Sequence, residues 1–172
     1  GLDLVEMQIR IADGEPLPIR QQDIHMNGWA IEARICAEDP EREFLPSTGI
    51  ITRYAPPRGK GIRLDSGVEA GSIISVFYDS MMAKLITHGD TRETARRAMI
   101  QALNRYHIEG VYTNRDFVNA LLNHPAFAAG DLSTRFIEEH FGGAQAGIEP
   151  VLENLHFMVM AATLVYHNRQ TL

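Results

Sequence analysis

Two hydrophobic periods divide this sequence, and together they constrain its fold more than any other feature. From Gly28 the period is two: Trp29, Ile31, Ala33 and Ile35 fall on one face, Glu32 and Arg34 on the other. From Asp90 it is helical, with Ala95, Ala98, Met99, Ala102, Leu103 and Tyr106 forming one continuous apolar stripe. Strands grouped ahead of helices predict an α+β domain. Its sheet is expected to be mixed and mainly antiparallel, within roughly residues 28–87, with flanking helices at roughly 90–106, 114–123 and 134–140.

The remaining elements follow from local chemistry. Leu2, Val5, Ile9 and Ala12 are spaced as a helix, closed by Asp13-Gly14 and followed by an extended connector at Pro16 and Pro18. Glu38 to Ser47 reads as a loop. Further strands are predicted at Ile50–Tyr54, Gly61–Leu64, Ser72–Val76 and Ala83–Thr87, and an extended piece at Gly110–Tyr112. Asp90, with Glu93 three residues on, is the predicted N-cap of the long helix. Asn114 is placed to cap a second helix that Asn123 and Pro125 end, and Ser133 or Thr134 to cap a third. Gly142–Gly147 is the best boundary candidate, and Pro150 starts a further helix that is apolar on nearly every side.

Composition narrows the function classes. Of 172 residues, 45% are apolar and 22% charged, which is globular rather than disordered. A net charge of −6 argues against a generic nucleic-acid surface. One cysteine and seven histidines cannot supply a disulfide framework or a cysteine-based zinc site, and lone Cys36 fits a reducing compartment. No apolar run reaches membrane-spanning length and no basic-then-apolar leader opens the sequence, so neither membrane insertion nor export is expected. Apolar spacing is already running at Leu2, as it would be in a piece of a longer chain.

Few constellations carry chemistry by pattern. Arg34 beside Glu32 reads either as an anion-binding arginine held by its own carboxylate or as a solvated ion pair of little worth, and pattern alone favours the second. Lys84 binds an anion or snorkels to the surface. Phe77-Tyr78-Asp79-Ser80-Met81 is a site loop or core filling. Arg58-Gly59-Lys60-Gly61 lacks the features of a phosphate loop and is a turn. The histidines show no metal-ligand spacing.

Several contiguous motifs together say more. Gly28–Pro40, Phe44–Gly49, Gly61–Gly67, Tyr78–Lys84, Gly110–Asn114 and Gly130–Phe136 closely resemble, in order, the C-terminal domain of biotin carboxylases. The resemblance covers about residues 1–141. It implies an ATP-grasp ligase that makes carboxyphosphate from bicarbonate and ATP, then carboxylates biotin on a carrier domain outside this chain. ATP and Mg2+ would be bound mainly by a segment upstream of Gly1. Arg34 matches the family's catalytic arginine, a permanent cation facing bicarbonate and the negative charge that develops on biotin. Glu32 and Asp79 are the implied supports of that arginine. Thr134 falls where the family's last helix approaches the adenine of ATP. Lys60 and Arg63 fall at the family's subunit interface, Lys60 in place of an aromatic residue.

The resemblance also divides the chain. Residues 1–141 would be the biotin carboxylase C-terminal domain. Residues 142–172 would be a flexible linker and the start of a truncated linker domain, which docks onto the carboxyltransferase beta subunit. Trp29-Ala-Ile-Glu32 and Arg53–Pro57 are most similar to the alpha subunits of propionyl-CoA carboxylases, among acyl-CoA carboxylases of fatty acid metabolism. The alternatives are the same domain of an acetyl-CoA, 3-methylcrotonyl-CoA or pyruvate carboxylase, or a non-catalytic interaction module. The implied location is the bacterial cytoplasm, or the mitochondrial matrix in a eukaryote. The part alone would be inactive.

Overall fold

The computed structural model describes residues 2–142. Of the expected boundary at Gly142–Gly147 only Gly142 is described, and the apolar helix from Pro150 lies outside the described residues. Helix α1, Leu4–Ala12, is capped by Asp3, whose carboxylate accepts from the Val5 and Glu6 amides. Strand β1, Trp29–Cys36, follows the extended connector. Glu38–Ser47, expected as a loop, contains the two-residue strands β2, Glu38–Asp39, and β3, Leu45–Pro46, paired across a 3-10 turn. Glu43 and Phe44 both take left-handed backbone there, and Phe44 packs edge-on against Phe117 at 4.9 Å. Then come β4, Gly49–Ile50; β5, Arg53–Ala55; β6, Ile62–Ser66; β7, Ile73–Ile74; and β8, Met81–Gly89. Helix α2, Arg92–Asn104, leads to β9, His107–Glu109, and to helices α3, Arg115–Asn123; α4, Pro125–Ala129; and α5, Phe136–Phe141.

The α+β class is as expected, with the strands divided among small antiparallel sheets. The main sheet runs β1-β8-β6, with β4 paired to β7 and β5 to β9. Alternation along β1 buries Ala33 and Ile35 and leaves Glu32 and Arg34 outside. On β8, Ala83, Leu85 and Thr87 point inward, against Ala95, Met99, Ala102 and Leu103 of α2. The buried Thr87 hydroxyl donates to the Ala95 carbonyl at 2.9 Å, which removes the cost of an unpaired polar group. Gly110 turns the chain after β9 at φ +103, and a Cβ there would strike the Ile50 carbonyl oxygen.

Three arginines tie the helical half together by donating to backbone carbonyls at or beyond the helix ends. Arg92 donates to the Phe127 and Ala128 carbonyls at the end of α4 and stacks 5.0 Å over the Phe127 ring. Arg96 donates to the Leu122 carbonyl of α3, and Arg115 to that of Tyr106.

Several expected caps are corrected. Thr91, not Asp90, caps α2, in a reciprocal arrangement with Thr94. That leaves Glu93 free of capping, and both Arg96 and Arg97 bind it. Pro125 does not merely end α3. As the first residue of α4, with no amide hydrogen to satisfy, it starts a further helix capped by His124. Neither Ser133 nor Thr134 is the N-cap residue of α5; Arg135 occupies that position and makes no side-chain cap bond. Asn114 makes no side-chain cap bond to α3 either, its amide going to β1 instead.

Glu93 provides a test of the helix scaffold. Hydrogen bonds from Arg96, then Arg97, lower its carboxyl pKa from 4.5 to about 2. A pKa depressed in the folded state stabilises folding above the ordinary value, and that contribution is lost as pH falls from about 4.5 toward 2. Thermal melts followed by circular dichroism are expected to show a shallower acid-side decline for Glu93→Gln than for the wild type. Parallel declines would mean that the Glu93 pairs with half-buried Arg96 and exposed Arg97 add nothing.

Candidate functional site

The outward face of the main sheet carries the ordered charges. Antiparallel register sets Arg34 of β1 opposite Lys84 of β8, and Lys84 opposite Asp65 of β6. One step along, Glu32 is opposite Ile86, and Ile86 opposite Arg63. Directly opposed residues share a sheet face. Arg34, Lys84, Asp65, Glu32 and Arg63 therefore form one charged grid across three strands, an arrangement that requires the register and is invisible to periodicity alone.

The interactions in the grid are unequal. Arg63 grips Asp65 through two bonds, 2.9 and 2.8 Å, and this lowers the Asp65 carboxyl pKa while raising that of the Arg63 guanidinium. Arg34 is held only loosely. Its Nε stands 3.7 Å from the Glu32 Oε1, and 69% of its side chain remains exposed. Like charges directly opposite destabilise a sheet unless something negative lies near both. Arg34 and Lys84 are such a pair; Glu32 beside Arg34 and Asp65 opposite Lys84 offset them in part, and with Arg63 the grid's three cations still outnumber its two carboxylates.

The loop between β7 and β8 closes the end of the face. The Ser80 carbonyl accepts from the Ala37 amide at 2.8 Å, and the Ser80 hydroxyl donates to the Glu38 carboxylate at 2.5 Å. Cys36 sits between these groups, its thiol pKa raised by burial and by the Glu38 charge. Asp79 uses Oδ1 to accept from the Met81 amide at 2.8 Å, and the carboxylate beside Arg34 is that of Glu32. Phe77 and Tyr78 are 87% and 86% exposed, so this stretch is not core filling. A groove of about 370 Å³ along β6 and β8 is lined by Asp65, Ser66, Gly67 and Met81–Lys84.

The other expected residues lie apart from this cluster. Lys60 is exposed in the turn before β6, whereas Arg63 stands on the grid itself. Thr134 is exposed in the turn before α5, a helix whose Phe136 and Phe141 pack on His124, Phe127 and Phe117. Among the described residues, no cluster of three or more His, Cys, Asp or Glu could hold a metal ion. None of the helices there is long and apolar enough to cross a membrane.

Residues 32–139 match the family model described as biotin carboxylase C-terminal domain. The propionyl-CoA carboxylase alpha chain of Ruegeria pomeroyi is 41% identical over 186 residues, covering 96% of this chain and 27% of that protein. Biotin carboxylase 1 of Bacillus subtilis is 45% identical over 140 residues, covering 81% of this chain and 31% of the relative. Among solved structures, the biotin carboxylase domain of a thermophilic 2-oxoglutarate carboxylase bound to bicarbonate superimposes with a TM-score of 0.78 at 44% identity. That alignment covers 81% of this chain and 31% of the other. The chain thus spans between a quarter and a third of the length of these relatives.

Proposed function

Because the chain belongs to the biotin carboxylase C-terminal domain family, we propose that it forms one wall of a carboxylation site in a biotin-dependent carboxylase. The observation that carries this reading is the opposed cation pair Arg34 and Lys84 on the open face of the sheet, beside the Asp79–Ser80 loop. Arg34 presents a permanent planar cation to bicarbonate and to the negative charge that the acceptor develops. Glu32, close enough to attract but too far to bond tightly, limits its swing without neutralising it. Asp79 shapes the neighbouring loop through the Met81 amide. ATP, when bound, activates bicarbonate; its phosphates and Mg2+ are assigned to an upstream segment, and Thr134 to the neighbourhood of its adenine. Lys60 and Arg63 are assigned to a subunit interface.

The finer reading is an alpha subunit of propionyl-CoA carboxylase, in the bacterial cytoplasm, working with a biotinylated carrier domain and a carboxyltransferase beta subunit. Its support is the Ruegeria pomeroyi match, which extends over 96% of this chain. Residues 1–141 are then the carboxylase domain and residues 142–172 the start of the docking region. An upstream ATP-grasp half and a downstream Ala-Met-Lys-Met motif in the parent reading frame would support this over a pure interaction module.

Activity tests the division of labour. Residues 1–172 alone are expected neither to hydrolyse ATP in the presence of bicarbonate nor to carboxylate free biotin, whereas the full-length subunit does both. Biotin-dependent ATP hydrolysis by the pure part would mean that the nucleotide site has been misplaced.

A further inference from the structure

We infer that Asn114 is a positioning residue for Arg34, an inference that rests on the role proposed above for that arginine. Among the described residues, β1 is an edge strand: β8 pairs with one side of it, and no strand pairs with the other. On the paired side, the register slips between Ile35 and Cys36, where Cys36 meets Met81 instead of Met82. Regular pairing holds β1 from Trp29 to Ile35, but its end at Cys36 is irregular on the paired edge and needs support from the other.

Asn114 closes the unpaired edge at that point. Its Nδ2 donates to the Arg34 carbonyl at 3.0 Å, and its Oδ1 accepts from the Cys36 amide at 2.9 Å. Its own backbone amide donates to the Cys36 carbonyl at 3.2 Å. The side-chain amide thus brackets Ile35 as a residue of a parallel neighbouring strand would, supplying one donor and one acceptor from a single planar group. Aspartate lacks the donor, and serine is shorter.

The clamp is itself anchored. Asn114 accepts from the Val118 amide at the start of α3, and adjacent Arg115 donates to the Tyr106 carbonyl in the core. Ile35 is fully buried on the inner face. With Ile35 seated below and Asn114 holding the carbonyl of one neighbour and the amide of the other, the backbone from which Arg34 projects has one orientation. The Arg34 side chain needs that, because Glu32 holds it only at 3.7 Å. The side-chain clamp spans about 80 residues of sequence (separations of 78 and 80), so it ties the arginine strand to the helical half of the domain.

A double-mutant cycle in the full-length subunit tests this, with Asn114→Ala, Arg34→Ala and their combination. The readouts are carboxylation kcat, KM for ATP and melting temperature, and Asn114→Ser serves as a second, milder variant. Asn114→Ala is expected to lower kcat about 10- to 100-fold, the scale of a misplaced catalytic group, with the KM for ATP unchanged. In the Arg34→Ala background the same substitution is expected to change kcat less than about twofold, because the group it positions is gone. Equal fold-losses in both backgrounds, or no loss for either Asn114 variant in an enzyme that Arg34→Ala disables, would overturn the inference. If Arg34→Ala has no effect, the reading of Arg34 fails first and the inference falls with it.

Discussion

Replacing Arg34 with alanine in the full-length subunit is expected to lower biotin carboxylation by about 10²–10³-fold, the usual scale for one preorganised electrostatic stabiliser. Nucleotide binding is expected to remain largely intact, because Arg34 lies on the outward face of β1 and the nucleotide phosphates are assigned upstream. The side chain is 69% exposed in this domain, and removing it leaves no cavity and no buried partner, since Glu32 is itself half open to water. The melting temperature therefore changes little. ATP binding measured by calorimetry, alongside radiolabelled carbonate incorporation, separates the cases. A collapse of ATP binding, with carboxylation per bound nucleotide preserved, would assign Arg34 to the nucleotide instead.

The largest stability effect is expected at Leu85. It is fully buried at the centre of β8, opposite Ala33 of β1 and Leu64 of β6, in the same core as Met99 and Leu103 of α2. Leu85→Ala loses burial and leaves a cavity, costing about 2–5 kcal/mol. A domain of this kind has only about 5–15 kcal/mol in total. The melting temperature is expected to fall by roughly 10 °C. Ile86→Ala, one residue along on the half-exposed outer face, is expected to cost clearly less, and equal losses at the two sites would contradict the assignment of faces.

Much of this was legible in the sequence where one period or one motif decided the matter. Alternation alone placed Arg34 and Glu32 outside and Ile35 inside, and the apolar stripe located α2. The misses have physical causes. Threonine at 91 outcompetes Asp90 as a cap because Thr94 completes a reciprocal pair, an exchange that the Asp-to-Glu spacing concealed. Pro125 signals both a stop and a start, and only tertiary packing through Arg92 and Phe127 shows that it starts α4. The Arg34–Lys84–Asp65 row needs strand register, which no local pattern encodes. The attachment of Asn114 to β1 joins residues about 80 positions apart; locally, the same asparagine reads as a helix cap.

The most direct test is a crystal structure of the full-length subunit with bicarbonate and MgADP. The Arg34 guanidinium is expected to donate to the bicarbonate oxygens at about 2.7–2.9 Å, as charge-assisted bonds do, with Lys84 on the same side of the sheet. Bicarbonate bound away from this face, with Arg34 left pointing into solvent, would contradict the assignment of this domain as a wall of the carboxylation site.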